Sequence, residues 1–165
     1  MDAEVLRAMA RWPQVPAVYG WLALDRRGNW LLRHPGQETF GRIGNAALRA
    51  FIARNYAVDA RGCWYFQNGP QRVYVTLAYT PFVLRYAGET LVDQCGAPLA
   101  PRETFVDEEG SVLLVGAQGV GLLDDRDLGI FESRLDADWQ SLPRLARGAV
   151  PGRFGFASAP SDSLR

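Results

Sequence analysis

Alternation of apolar and polar residues is cleanest over residues 72–79. Val73, Val75, Leu77 and Tyr79 fall on one side, and Arg72, Tyr74, Thr76 and Ala78 on the other. A period of two predicts a strand with one face turned to a core. Shorter stretches of the same kind predict strands over 18–24, 29–32, 64–66, 82–86, 90–92, 103–106, 111–115 and 120–123. The period changes over 46–55, where Leu48, Phe51 and Ile52 recur at helical spacing and Asn45 sits where an N-cap belongs. A short N-terminal helix over 3–12 carries Val5, Leu6 and Met9 as its stripe, with Asp2 as cap and Pro13 as stop. A further short helix is expected within 136–145, interrupted near Pro143.

One phrase punctuates this pattern three times. It reads Leu-Asp-Arg-Arg-Gly-Asn-Trp at 24–30, Val-Asp-Ala-Arg-Gly-Cys-Trp at 58–64 and Val-Asp-Glu-Glu-Gly-Ser-Val at 106–112. Asp at the first position of a turn caps its N–H groups, and Gly at the fourth adopts the conformation other residues avoid. Flanked by apolar residues, each copy predicts the tip of a β-hairpin. Asn68-Gly69-Pro70 predicts another tight turn.

The expected fold is therefore α+β, mostly antiparallel, built from repeated hairpin units with one central helix and a short N-terminal helix. Residues 1–16 form the N-terminal helix and connector. Residues 17–87 form a hairpin-helix-meander subdomain, 88–148 a second β-rich subdomain, and 149–165 a loosely ordered tail.

The order of features resembles small proteobacterial families catalogued only as domains of unknown function. Asp25, Gly28 and Trp30, then Phe51 and Ile52, then Asp59, Gly62 and Trp64, then Thr80-Pro81-Phe82-Val83 carry the resemblance, which spans about residues 20–130. It implies a mixed fold with repeated β-rich motifs and a conjectured role in signalling or ligand binding. It implies no catalytic residue.

Composition narrows the classes. The content of hydrophobic residues, 48%, is that of a folded globular chain. The apolar runs are far shorter than the roughly 20 residues needed to span a bilayer. The acidic start lacks the features of a secretory signal. Cys63 and Cys95 make neither a disulfide framework nor a zinc set, which points to a cytoplasmic protein with reduced thiols. All 18 basic residues are arginine. They are unevenly placed: residues 1–86 carry a net +6 and residues 87–165 a net −6. Such polarity fits two halves that pair internally, or a basic face for an anionic partner.

The chemistry-bearing residues do not assemble into a known catalytic motif. His34 is the only histidine and sits in a loop without a local nucleophile. Residues 116–121 read G-x-x-G-x-G, and a strand rather than a helix follows, so a phosphate cradle is not expected. Asp107, Glu108, Glu109 and Asp124, Asp125, Asp127 lack the spacing of a calcium loop and read as solvated turn charges. Trp30 and Trp64 read as core. No catalytic residue, metal ligand or cofactor is assigned.

Residues 54–74 stand out instead. Arg54, Tyr65, Gln67, Asn68, Arg72 and Tyr74 place guanidiniums, phenols and amides on a turn-rich frame, which suits a polar ligand. The same residues could equally cap loops. The reading favours a non-enzymatic binding or regulatory module for a small anionic ligand or a protein partner, with no membrane role. A hydrolase or metal-dependent enzyme using the acidic loops, and nucleic-acid binding by the arginine-rich half, are the alternatives.

Overall fold

The computed structural model describes residues 1–34, 36–136 and 138–161. The chain divides into two units. The first holds Met1–Asp25, Asn29–Ala78 and the described residues from Phe156; the second holds Arg26–Gly28 and Tyr79–Gly155. Residues 162–165, the end of the expected tail, lie outside the described residues.

Unit 1 runs α1 (Ala3–Arg11), β1 (Val18–Leu24), β2 (Trp30–Leu32), β3 (Gly41–Arg42), α2 (Ala46–Arg54), β4 (Tyr56–Val58), β5 (Trp64–Asn68) and β6 (Gln71–Leu77). Its strands form one sheet in the order β3-β2-β1-β6-β5-β4. Unit 2 runs β7 (Phe82–Ala87), β8 (Thr90–Val92), β9 (Pro98–Leu99), β10 (Glu103–Val106), β11 (Val112–Gly116), β12 (Gly119–Leu123), α3 (Leu128–Ser133) and α4 (Val150–Phe154). Its sheet order is β10-β11-β12-β7-β8-β9.

Each sheet is thus two antiparallel meanders, joined where the first strand of the unit runs parallel to the last. Leu24 pairs with Leu77 in unit 1, and Leu84 with Leu123 in unit 2. At the joint of unit 2, residues 82–84 of β7 and 120–123 of β12 are buried without interruption. The fold is α+β and mostly antiparallel.

The Asp-x-x-Gly phrase closes hairpins by one repeated device. Asp59 N–H donates to Cys63 O at 3.0 Å and Gly62 N–H to Asp59 O at 3.0 Å, while Asp59 Oδ1 accepts from the N–H groups of Arg61 and Cys63. The turn at 107–110 repeats these contacts, and the turn at 25–28 shares the bonds between its Asp and the residue after its Gly. A fourth copy, at Asp93 to Gly96, turns β8 into β9, and the Pro- and Ala-rich run after it hides the hairpin in the sequence. The four glycines have φ between +75° and +84°, a region that costs a residue with a Cβ about 1–2 kcal/mol.

Part of the core of unit 1 lies between the sheet and α2, and Cys63, Tyr65 and Tyr74 form a separate buried cluster. Asn45 caps the helix, its Oδ1 accepting from Leu48 N–H at 3.0 Å. Ile52 is 1% exposed, and the Phe51 ring meets Phe66 edge-on at 5.3 Å. Leu48, expected on this face, is 36% exposed, so the buried stripe is narrower than its spacing suggests. Asp2 does not cap α1 with its side chain; its carboxylate turns to Arg54 and Asn55 instead. Trp30 is core, whereas Trp64 is only half-buried against Tyr56.

Two further expectations change in the second half. The helix placed within 136–145 is a single 3-10 turn over Trp139–Ser141, capped by Asp138 and stopped before Pro143. The chain instead makes α3, which inserts Phe131 and so lacks a legible stripe. The described part of the tail is ordered. Val150 and Phe156 are buried, Ala157 N–H donates to Gly62 O at 3.0 Å, and Leu77 N–H donates to Ser158 O at 2.7 Å. Two well-placed apolar residues and backbone pairing suffice where composition alone suggested looseness.

Candidate functional site

The site lies on the face of the unit 1 sheet opposite α2. Alternation puts Tyr65 and Gln67 of β5 on that face, and Phe66 on the other. Their register partners on β6 are Tyr74 and Arg72, so four polar or aromatic side chains share one patch. β1 enters beside β6 with a register shift between Val18 and Leu22, at Gly20 (φ +71°). This brings Tyr19 flat against Tyr74, with ring centroids 4.6 Å apart and planes 6° from parallel.

The connector after α1 closes one side. Gln71 Nε2 donates to Pro16 O at 3.1 Å and holds the connector against the strand. The result is an open cavity of about 580 Å³ walled by Trp12, Tyr19, Arg61, Gln67, Arg72 and Tyr74, with connector residues completing the rim. Trp12 is 50% exposed, an apolar ring left at the mouth.

Arg61 and Arg72 make its positive wall in different ways. Arg61 donates to Asp59 Oδ2 at 3.1 Å and to the Tyr74 hydroxyl at 3.2 Å. Hydrogen bonds to Tyr19, Asp59 and Tyr74 raise its already high pKa. Tyr74 in turn donates to Asp59 Oδ2 at 3.0 Å. Burial raises the Asp59 pKa, but the hydrogen bonds from Cys63 N–H, Tyr74 and Arg61 outweigh it, so the carboxyl ends below its ordinary range. Burial likewise pushes the Tyr74 phenol up. Arg72 lies over the Tyr65 ring at 4.5 Å and, among the described residues, has no carboxylate partner.

Gln67 is 1% exposed. Its Nε2 donates to Gly69 O at 2.9 Å. Its Oε1 is the one buried side-chain polar atom among the described residues without a hydrogen-bond partner. Leaving such a group unmade costs about 1–3 kcal/mol.

Of the six residues expected to bind a ligand, Gln67, Arg72 and Tyr74 line this cavity and Tyr65 lies beneath Arg72. Arg54 and Asn68 go elsewhere. Arg54 is held on α2 by Asp2 at 3.1 Å. Asn68 alternates to the other face and lines a separate cavity of about 250 Å³ with Asp2, Val5 and Phe51. Tyr19, Trp12 and Arg61 were not anticipated. Tyr19 is brought in by parallel pairing across 55 residues of sequence, and Arg61 reads locally as turn filling.

The other candidates are absorbed by structure. His34 is exposed. Gly116 and Gly119 pair across the β11–β12 hairpin, and a Cβ on Gly121 would meet Leu84 at 2.6 Å, so these glycines serve strand packing. The acidic residues are not all solvated: Asp107, Asp124 and Asp127 are buried. Asp107 accepts from Tyr79 at 2.9 Å, Asp124 binds Arg126, and Asp127 accepts from Tyr86 N–H at 2.8 Å. Within unit 2, Arg26, Arg27 and Arg85 pair with Glu109, Asp125 and Asp127, so some of the opposite charge of the two sequence halves cancels internally.

The fold and the site define a two-unit α+β protein with an arginine- and aromatic-walled cavity in its first sheet. The chain belongs to the family described as "Protein of unknown function (DUF2946)", whose model matches residues 1–161. Among solved structures it is similar to a DUF1285 family protein from Silicibacter pomeroyi DSS-3, at 14% identity and a TM-score of 0.53. That match covers 84% of this chain and 87% of the other, and at this identity it shows the fold alone. No curated protein matches the chain. Among the described residues, no helix is long and apolar enough to cross a membrane.

Proposed function

We propose that the protein is a non-enzymatic binding or regulatory module whose unit 1 cavity takes a small anionic ligand. The observation that carries this reading is Arg72, a guanidinium on the cavity wall whose own carboxylate partner is missing among the described residues. Tyr65 stacks behind it and limits its freedom, which lowers the entropy lost on gripping a carboxylate or phosphate. Arg61 adds positive charge but is committed to Asp59, so it sets the field rather than supplying the main contact. The enzyme alternative has less support, because Asp107 and Asp124 are buried and cap turns and Asp127 is buried against the Tyr86 N–H and Arg85. The unpaired thiols of Cys63 and Cys95 support a cytoplasmic setting.

The test is a thermal-shift screen of the full chain against carboxylates and phosphorylated metabolites. A ligand present at a hundredfold excess over Kd adds about 2.7 kcal/mol to stability. The expected result is a shift with one or more anions that disappears in Arg72→Ala, while the unliganded melting temperature stays within a degree or two. A fall in the unliganded melting temperature, with no anion effect in the wild type, would assign Arg72 a structural role.

A further inference from the structure

We infer that the ligand of this cavity carries an N–H or O–H donor next to its acidic group, and that Gln67 is the residue that reads it. The inference rests on the anion-binding reading above and goes beyond it to the class of anion. Gln67 Oε1 can only accept. Its carboxamide cannot swing to find another partner without breaking the Nε2 bond to Gly69 O, and its backbone N–H is already given to Asn55 O at 2.9 Å. The Tyr74 phenol on the same face does not fill the gap, since its hydroxyl hydrogen goes to Asp59.

The cavity wall therefore holds donors on Arg61 and Arg72, and Gln67, which also lines it, carries one enclosed and unfilled acceptor. Gln67 and Arg72 are register partners across β5 and β6. Directly opposed residues have Cα atoms about 4.5–5.5 Å apart, so one small ligand can span both side chains with an acid and a donor close together. A 2-hydroxy or 2-amino carboxylate has this arrangement, and so does a phosphate ester with a hydroxyl on the adjacent carbon. An anion of the same charge without the donor leaves Gln67 Oε1 unfilled and binds at least about tenfold more weakly.

Matched probe pairs test this by titration calorimetry on the full chain: malate against succinate, and glycerol 3-phosphate against propyl phosphate. The wild type should prefer the hydroxylated member of one pair by at least about tenfold, and the pair that responds distinguishes carboxylate from phosphate. Gln67→Leu should bring that ratio to about one while keeping affinity for the plain anion, and Arg72→Ala should abolish both. If Gln67→Leu lacks a cooperative melting transition, Gln67→Met, closer in shape, replaces it. Equal binding of both members of each pair, or a preference that survives in Gln67→Leu, overturns the inference and leaves the anion site standing. No binding of any probe to the wild type overturns both.

Discussion

Tyr79 donates its phenolic hydrogen to Asp107 Oδ2 at 2.9 Å, and both side chains are buried. Tyr74 and Asp59 repeat the relationship in unit 1 at 3.0 Å. Each carboxylate is the turn Asp of the hairpin that opens the second meander of its unit. A locally complete turn is thus tied to a residue far away in sequence. A hydrogen bond to a charged group contributes about 1.5–3 kcal/mol, so Tyr79→Phe should lower stability by about that amount in chemical denaturation. Burial first, and then Asp107, raise the Tyr79 phenol. In the native protein it should stay protonated in an absorbance titration through the range where exposed tyrosines ionise.

The α2 packing predicts an uneven mutational profile. Ile52→Ala should cost about 2–5 kcal/mol, because the side chain is enclosed. Leu48→Ala, one turn earlier on an exposed position, should change stability by no more than about 0.5 kcal/mol. Urea denaturation of both variants checks the face assignment, and equal losses would contradict it.

Gly110 isolates the cost of turn conformation. Its φ is +81°, and a Cβ built there meets nothing within 4 Å. Gly110→Ala should therefore lose about 1–2 kcal/mol from backbone strain alone, and Gly110→Asn should lose less, since Asn tolerates this region. A neutral alanine variant would show that the turn relaxes at no cost.

Two buried carboxylates act oppositely in acid. The hydrogen bond from Arg126 holds Asp124 down to about 2, against burial, so its ionised form stabilises the fold above its ordinary value near 3.8. That contribution should fade as pH drops from 3.8 towards 2. Burial raises Asp93 despite the N–H groups of Ala97, Cys95 and Gly96, so its contribution is greatest below 3.8 and declines as pH rises through its folded value. Asp124→Asn should flatten the acid limb of a stability-versus-pH curve, and Asp93→Asn should not.

Gln67 should behave as a residue kept for binding rather than for stability. Replacing an unsatisfied buried amide by an apolar side chain of similar size removes a penalty of about 1–3 kcal/mol and gives up one hydrogen bond of about 1 kcal/mol. Gln67→Met should match or exceed the wild-type melting temperature. A loss of several degrees would mean that Oε1 is satisfied in solution.

The chain by itself determined its hairpin tips. Asp59, Gly62 and Cys63 lie within five residues, and the bonds that close the turn are among them, so local chemistry suffices to specify it. The same holds for Asn45 capping α2. Alternation also placed Arg72 and Tyr74 on one face of β6, and Gln67 within the stretch that forms part of the cavity. Tertiary structure decided the rest. The pairing of β1 with β6 brings Tyr19 onto Tyr74 from 55 positions away, and the Asp2 carboxylate draws Arg54 off the expected site. Phe156 anchors a segment whose composition resembles a loose tail. These outcomes depend on which distant surface fills a given space, and burial and register across strands set that, whereas periodicity reports only which face of a segment avoids water.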